Sequence, residues 1–155
     1  MTMKKILIPL GLTLNDRKSI NFIINRFALD RTVDLTLFYI FTPVPEIDVR
    51  NNPIMEKMNQ NLSYQRSLLN TREMALHQVK QRLLNRGFRD EQVHCVFAPV
   101  KIDVPRDIIK FARSEAFEMV IFSRTPDRVI RFFTRSVSKK VAAGIGKGIE
   151  VIILT

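Results

Sequence analysis

The sequence predicts one α/β domain in which helices cover both faces of a parallel sheet. Short apolar runs rich in isoleucine, leucine and valine are typical of strands that are buried on both faces. Longer segments with apolar residues at helical spacing separate these runs. Because helical segments alternate with the strands, we expect the strands to be parallel. The length of 155 residues is that of a single domain, residues 1–155.

The same patterns give the approximate bounds of each element. Strands are predicted at residues 4–10, 33–41, 92–98, 119–123 and 149–154, and helices at about 16–30, at about 54–86, after 103 and at 136–143. Asn15 or Asp16 is expected to cap the first helix, and Asp103, with Pro105 in the first turn, the third helix. Gly87 stands where the second helix should end. Residues 54–86 form either one helix or two, and the proline-rich residues 42–53 form a loop.

Composition excludes several classes of protein. Apolar residues make up 46% of the chain and charged residues 26%, as in ordinary soluble domains. The single cysteine, Cys95, cannot form an intrachain disulfide, and nothing indicates an oxidising compartment. The apolar run near the N-terminus is interrupted by Pro9 and is too short for a signal peptide, and none approaches the roughly 18 residues of a membrane span. We therefore expect a cytoplasmic protein without a membrane partner.

Basic residues are concentrated near the C-terminus. The net charge is +10, and residues 121–155 hold seven basic and two acidic side chains. The basic residues are Arg124, Arg128, Arg131, Arg135, Lys139, Lys140 and Lys147. Such a balance is compatible with nucleic acid, an anionic small molecule or an acidic protein as partner, and also with a merely solvated surface.

Three parts of the chain resemble the universal stress protein family. They are Lys5–Pro9 (KILIP), Asp103–Ala112 with Glu118–Ile121, and Arg135–Val141 with Ile149–Leu154. These parts are similar to that family's first strand, its third helix and fourth strand, and its last helix and strand. The resemblance covers nearly the whole chain. It implies a doubly wound, Rossmann-like sheet of five strands in the order 3-2-1-4-5, similar to the adenine-nucleotide alpha hydrolases, and a homodimer formed through the last strand.

The ATP-binding motif of that family is degenerate in this chain. The motif is Gly-x-x-Gly, nine further residues, then Gly followed by Ser or Thr. Its glycines fall on Phe122, Thr125 and Arg135, and only the hydroxyl of Ser136 is retained. The acidic residue that ends the family's first strand falls on Gly11. Because glycines let backbone N–H groups approach a phosphate closely, the resemblance implies that ATP is not bound in the usual way.

The ligand crevice of an open parallel sheet lies beyond the carboxyl ends of its strands, where the strand order reverses. By resemblance this is the end of strands one and four. The residues expected to line it are Gly11, Leu12, Phe41, Ser123, Arg124 and Ser136. Arg124, Arg128, Arg131 and Arg135 either bind a phosphorylated anion by bidentate hydrogen bonds or form a solvated basic face. Ser136 either donates to an anion or only caps a helix.

No other group of residues indicates a catalytic or metal site. The glycine-rich Gly144–Gly148 follows a helix and precedes a strand, and therefore indicates a turn rather than a dinucleotide loop. The remaining side chains with relevant chemistry are Cys95, His77, His94, Glu46, Asp48, Met55, Met58 and Leu62. Cys95 is expected in the core, the histidines lack metal-ligand spacing, and the Met-Leu stripe is expected in the core or a dimer contact. Glu46 and Asp48 could pair as acid and base only if a crevice brought them together.

Four functions compete on this sequence. The first is a non-enzymatic stress-response or regulatory protein without a bound cofactor. The second is a sensor of another nucleotide or phosphorylated anion. The third is a nucleic-acid-binding module, which is disfavoured because Phe132 and Phe133 are the only aromatic pair near the basic residues. The fourth, an enzyme such as a residual ATPase, lacks any acid–base or nucleophile constellation.

Overall fold

In the part of the chain that the structure describes, five strands alternate with four α-helices. A computed structural model describes residues 3–45, 53–123 and 135–154. The strands are β1 (Lys4–Pro9), β2 (Val33–Phe41), β3 (Val93–Pro99), β4 (Met119–Ser123) and β5 (Glu150–Leu154). The helices are α1 (Asp16–Phe27), α2 (Pro53–Asn85), α3 (Val104–Ser114) and α4 (Arg135–Gly144). A 3-10 turn, Asp90–Gln92, precedes β3.

The five strands form one parallel sheet in the order β3-β2-β1-β4-β5. Each neighbouring pair is parallel, and β1 is in register with β2 from Lys4↔Val33 to Pro9↔Phe38. This confirms the predicted fold class and strand order. Every predicted strand is present, and its observed ends differ from the prediction by at most one residue.

Two apolar cores lie on opposite faces of the sheet. Side chains alternate between the faces along each strand, so Ile6 and Ile8 belong to one core and Leu7 to the other. The first core packs against α1 and α2, and the second against α3 and α4. All three of these β1 side chains are fully buried, which explains why β1 is apolar at consecutive positions.

The first helix begins differently from the prediction. Asn15 precedes α1 with helical dihedral angles and makes no side-chain capping bond. Asp16 does not cap the helix either, because its carboxylate turns back to accept hydrogen bonds from the loop that precedes α1. The helix ends at Phe27, three residues before the predicted end.

Helix α2 is continuous over 33 residues, which resolves the alternative of one helix or two. At 1.5 Å per residue it is about 50 Å long. Its fully buried residues, Leu76 and Leu83, lie in the half nearer the C-terminus. Met58, predicted in the core or a dimer contact, is 47% exposed, and Leu62 is partly buried. The side chain of Met55 lies outside the described part of the chain. Gly87, with φ +113°, follows the helix as predicted.

Helices α3 and α4 complete the second face. The side chain of Asp103 accepts a hydrogen bond from the Arg106 N–H at 2.8 Å, which confirms the predicted cap of α3. Gly146 and Gly148, both at positive φ, form the turn between α4 and β5 that the sequence predicts. Among the helices of the described ranges, none is both long and apolar enough to cross a membrane.

Candidate functional site

The strand order reverses between β1 and β4, and the chain leaves both strands at the same side of the sheet, where all the parallel strands have their carboxyl ends. Four of the predicted crevice residues lie at the carboxyl ends of strands: Gly11 and Leu12 follow β1, Phe41 ends β2 and Ser123 ends β4. Arg135 and Ser136 begin α4, but their side chains are not described. Arg124, Arg128 and Arg131 lie outside the described residues. Of the six residues predicted to line the crevice, the structure therefore places four at the carboxyl ends of strands and Ser136 in the first turn of α4.

The loop between β1 and α1 surrounds the carboxylate of Asp16. Its oxygens accept hydrogen bonds from the N–H groups of Gly11 and Thr13, each at 3.2 Å. Leu12 between them has φ +56°, a left-handed conformation that is uncommon for a branched side chain and turns the loop around the carboxylate. Converging N–H groups of this kind form an anion-binding concavity. Here the chain's own carboxylate fills that concavity.

Burial dominates the electrostatics of Asp16. Its relative exposure is 9%, and loss of solvation raises the pKa of the carboxyl group above 3.8. The backbone hydrogen bonds from Gly11, Thr13 and Leu12 act in the opposite direction and lower this pKa, but more weakly. The sequence prediction missed this role because it treated Asp16 only as a helix cap. The signal in the sequence was a carboxylate five residues after Gly11, the glycine that follows β1.

Ser123 connects the end of β4 to α1. Its Oγ accepts a hydrogen bond from the Ser19 N–H at 2.9 Å and also bonds with the Ser19 hydroxyl. Both serines are buried, with exposures of 6% and 0%. The Ser123 hydroxyl, predicted to line the crevice, is therefore engaged inside the protein. Its position fixes β4 against α1 at the point where the chain leaves the sheet.

Comparison with known proteins identifies the fold. No protein-family model matches the sequence, and no curated protein sequence is significantly similar to it. Among solved structures, universal stress protein UspA from Lactobacillus plantarum superposes with a TM-score of 0.67 at 13% identity, over 100% of this chain and 99% of that one. The fold is that of the universal stress proteins.

Two other universal stress protein structures with this fold contain nucleotides. The protein from Archaeoglobus fulgidus in complex with dAMP has a TM-score of 0.59 and 15% identity over 100% of both chains. A universal stress protein in complex with cAMP has a TM-score of 0.59 and 13% identity, and the match covers 99% of this chain and 98% of that one. The low identities mean that the likeness concerns the fold.

Phe122 is the residue on which the sequence resemblance places the first glycine of the universal stress protein motif. It lies within β4, where it pairs with Ile153 of β5, and its side chain is fully buried in the core beneath α3 and α4. The backbone does not turn here, since the strand continues to Ser123. Replacing such a ring by a small side chain costs about 3–5 kcal/mol of stability. Phe122 is therefore part of the core rather than of a loop.

A hollow of about 450 Å³ opens beside the same edge, on the side of α1 and α2. It is lined by the loop residues Leu12 and Thr13, by Arg17 of α1, and by Gln78 and Arg82 of α2, among others. Arg82 donates to the side chain of Asn21 at 3.2 Å, which holds α2 against α1.

Phe41, the remaining crevice residue, stacks on Phe97 with ring centroids 4.6 Å apart.

Among the described residues, the other side chains with relevant chemistry lie apart from this crevice. Cys95 is partly buried and packs against the first core, in which it was predicted to lie, and burial raises the pKa of its thiol, which keeps it protonated at neutral pH. His94 is exposed and hydrogen-bonds Asp34 at 2.7 Å, and His77 is exposed on α2. Within the described ranges no three potential metal ligands cluster. Glu46 and Asp48 lie outside those ranges.

Proposed function

We propose that the protein is a non-enzymatic regulatory or stress-response protein of the universal stress protein type that does not bind ATP through a glycine cradle. The observation that carries this proposal is the burial of Phe122 in the core. The sequence resemblance aligns this residue with the first glycine of the ATP-binding motif. In a glycine loop, the phosphate is bound by backbone N–H groups that it can approach closely. A strand residue with a buried aromatic ring does not present its N–H group in this way.

Titration calorimetry with magnesium and ATP tests this proposal. We expect no heat beyond dilution at ATP concentrations up to about 1 mM, a limit that corresponds to a binding free energy weaker than about −4 kcal/mol. The same titration with cAMP and dAMP serves as a comparison on the same preparation. Magnesium-dependent binding of ATP with a micromolar Kd would overturn the proposal.

A sensor of nucleoside monophosphates is the second candidate. It is favoured because two proteins of the same fold were solved with dAMP and cAMP. A single phosphate group needs fewer donors than a triphosphate, and arginine supplies bidentate donors without any glycine loop. In this candidate, the side chains of Arg124, Arg128, Arg131 and Arg135 bind the phosphate in place of the backbone N–H groups of a glycine loop.

Ligand-induced thermal stabilisation distinguishes the two candidates. If the sensor function holds, cAMP, AMP or dAMP raises the Tm, and Arg124→Ala and Arg135→Ala reduce the shift by more than half. Arg26→Ala, in the last turn of α1, is the matched control and leaves the shift unchanged. A panel of nucleotides that leaves the Tm unchanged would exclude the sensor and leave the first candidate in place.

We also propose that β5 mediates homodimerisation. The strand lies at the edge of the sheet, and the Glu150 N–H donates to the carbonyl oxygen of Glu118, the residue before β4, at 2.9 Å. Since N–H groups alternate in direction along a strand, those of Val151 and Ile153 point away from β4. An edge with outward N–H and C=O groups is a template for pairing with a second strand.

A further inference from the structure

A second hollow lies on the opposite face of the sheet, between α3 and the edge strand β3. Its volume is about 280 Å³. It is lined by strand residues Phe38, Ile40, Val96, Ala98 and Pro99, by Lys101, and by α3 residues Asp107, Lys110, Phe111 and Ser114. None of these residues belongs to the crevice at the switch point.

The floor of this hollow is apolar. Phe38 and Ile40 are almost completely buried, while Val96 and Ala98 of β3 are only partly buried. The ring of Phe111 stacks on that of Phe38, with centroids 4.5 Å apart. The outer part of the sheet therefore presents aliphatic and aromatic surface to the space beside α3.

The rim of the hollow carries positive charge. Lys101 and Lys110 line it, and no ion pair joins either of them to another described residue. The only carboxylate in the lining, Asp107, accepts hydrogen bonds from the N–H groups of Lys101 at 2.7 Å and Ile102 at 3.2 Å. Asp107 is thus used to hold the loop before α3, and the two ammonium groups remain available to an external anion.

Helix α3 separates this hollow from α4. On its other side, Arg113 donates to the carbonyl oxygens of Ile145 and Gly144 at the end of α4, the former at 3.0 Å. Gly144 also packs against Ile109. A ligand in the hollow would therefore lie on the side of α3 turned away from α4.

We propose that this hollow binds a small amphipathic carboxylate, whose apolar body lies on Phe38, Phe111 and Ala98 and whose carboxylate lies between Lys101 and Lys110. A volume of about 280 Å³ holds about nine water-sized groups at about 30 Å³ each. Medium-chain fatty acids and arylacetates have about that number of heavy atoms. Small pockets that combine an apolar lining with a few converging polar groups are the usual form of ligand sites.

Calorimetric titration with octanoate, octanol and octylamine separates the roles of chain and charge. We expect octanoate to bind with a Kd below about 1 mM, octanol at least tenfold more weakly, and octylamine not at all. The double variant Lys101→Gln/Lys110→Gln should weaken octanoate about tenfold, because it removes two charge-assisted contacts at a partly exposed rim. The matched control is Lys139→Gln/Lys140→Gln on α4, which removes the same charge elsewhere and should leave the affinity unchanged.

A second variant tests the location independently of charge. Ala98→Met fills the floor of the hollow from a partly exposed position, and it should abolish octanoate binding while the circular dichroism spectrum is retained. The proposal is overturned if octanol binds as well as octanoate. It is also overturned if the α4 control weakens octanoate as much as the rim variant, or if Ala98→Met folds and binds normally.

Discussion

Asp16 and Asp30 show how one type of side chain titrates in opposite environments. Asp16 is buried at the start of α1, and loss of solvation raises the pKa of its carboxyl group. Asp30 lies partly exposed beyond the end of α1 and accepts hydrogen bonds from the Thr32 hydroxyl and N–H group, which lower the pKa of its carboxyl group. Both start from an ordinary pKa of 3.8.

Replacing Asp16 by asparagine should change stability with a characteristic dependence on pH. The folded protein holds the Asp16 proton more tightly than the unfolded chain, so this contribution to the free energy of unfolding is complete below pH 3.8. It is lost as the pH rises through the raised pKa. We expect the unfolding free energy of the wild type, relative to Asp16→Asn, to fall as the pH increases from 3 to 7 in urea denaturation experiments.

Asp30→Asn is the matched control because the contribution of Asp30 to the free energy of unfolding changes with pH in the opposite direction. The Asp30 contribution is present above pH 3.8 and is lost as the pH falls through the lowered pKa. The difference between wild type and Asp30→Asn should therefore rise with pH over the acid range. Parallel slopes for the two variants would contradict the assigned environment of Asp16.

Contacts between distant residues account for what the sequence could not predict about the site. Its position followed from the strand order, and Gly11, Leu12, Phe41 and Ser123 do lie at that edge. The engagement of Ser123 depends on Ser19, which is 104 residues away in the chain. The role of Asp16 depends on the left-handed Leu12. Rules for helix capping use only residues that are neighbours in the sequence, and therefore predict neither the contact with Ser19 nor the conformation of Leu12.

At the scale of elements, α1 and α3 begin in two different ways. Asp103 has an extended backbone, and its side chain accepts from the Arg106 N–H, as a capping residue does. Asn15 has helical dihedral angles and makes no such bond. The same rule predicted both caps, and only the one at Asp103 forms, because the loop before α1 is organised around Asp16 instead.

Alanine substitution should separate these two helix starts. Asp103→Ala removes a capping acceptor and should lower the free energy of unfolding by about 1 kcal/mol. Asn15→Ala should change it by less than about 0.5 kcal/mol, as for other positions without a specific contact. Asp103→Asn retains an acceptor and should behave nearly as wild type in the same urea titrations. Equal losses at positions 15 and 103 would contradict the observed difference in capping.

Apolar patterns predicted the order of the five strands and four α-helices that the structure describes, and glycine and capping signals predicted several of their ends. Gly87 marks the end of α2, and Gly146 and Gly148 supply the positive φ values of the last turn. The continuity of α2 was not predictable, because its half nearer the N-terminus has few buried residues to set a period. Ile54, for example, is 72% exposed.

At the scale of the whole molecule, the strand order came from family resemblance, and the structure confirms it. Strand patterns alone leave several orders open, since every strand is apolar enough to lie in the centre. What distinguishes the edges is partial exposure: residues 151–154 of β5 are all partly buried, whereas β4 is buried throughout.

Proline substitutions in β5 test whether this edge forms a dimer. Val151→Pro removes an N–H group that points away from β4, so the fold should survive while a dimer formed through β5 dissociates. Sedimentation velocity should show wild type as a dimer and Val151→Pro as a monomer. Ile152→Pro is the control, because it removes an N–H group that points toward β4 and should unfold the edge. A folded Val151→Pro variant that remains dimeric would place the dimer contact elsewhere.

The length of α2 has a consequence for how the molecule moves in solution. A compact chain of 155 residues has a radius of gyration of about 15 Å. Helix α2 is about 50 Å long, whereas a strand of nine residues such as β2 spans about 30 Å. The protein should therefore tumble anisotropically, with the end-over-end rotation that reorients α2 as its slowest motion. The maximum dimension from small-angle scattering should reflect the length of this helix rather than the width of the sheet.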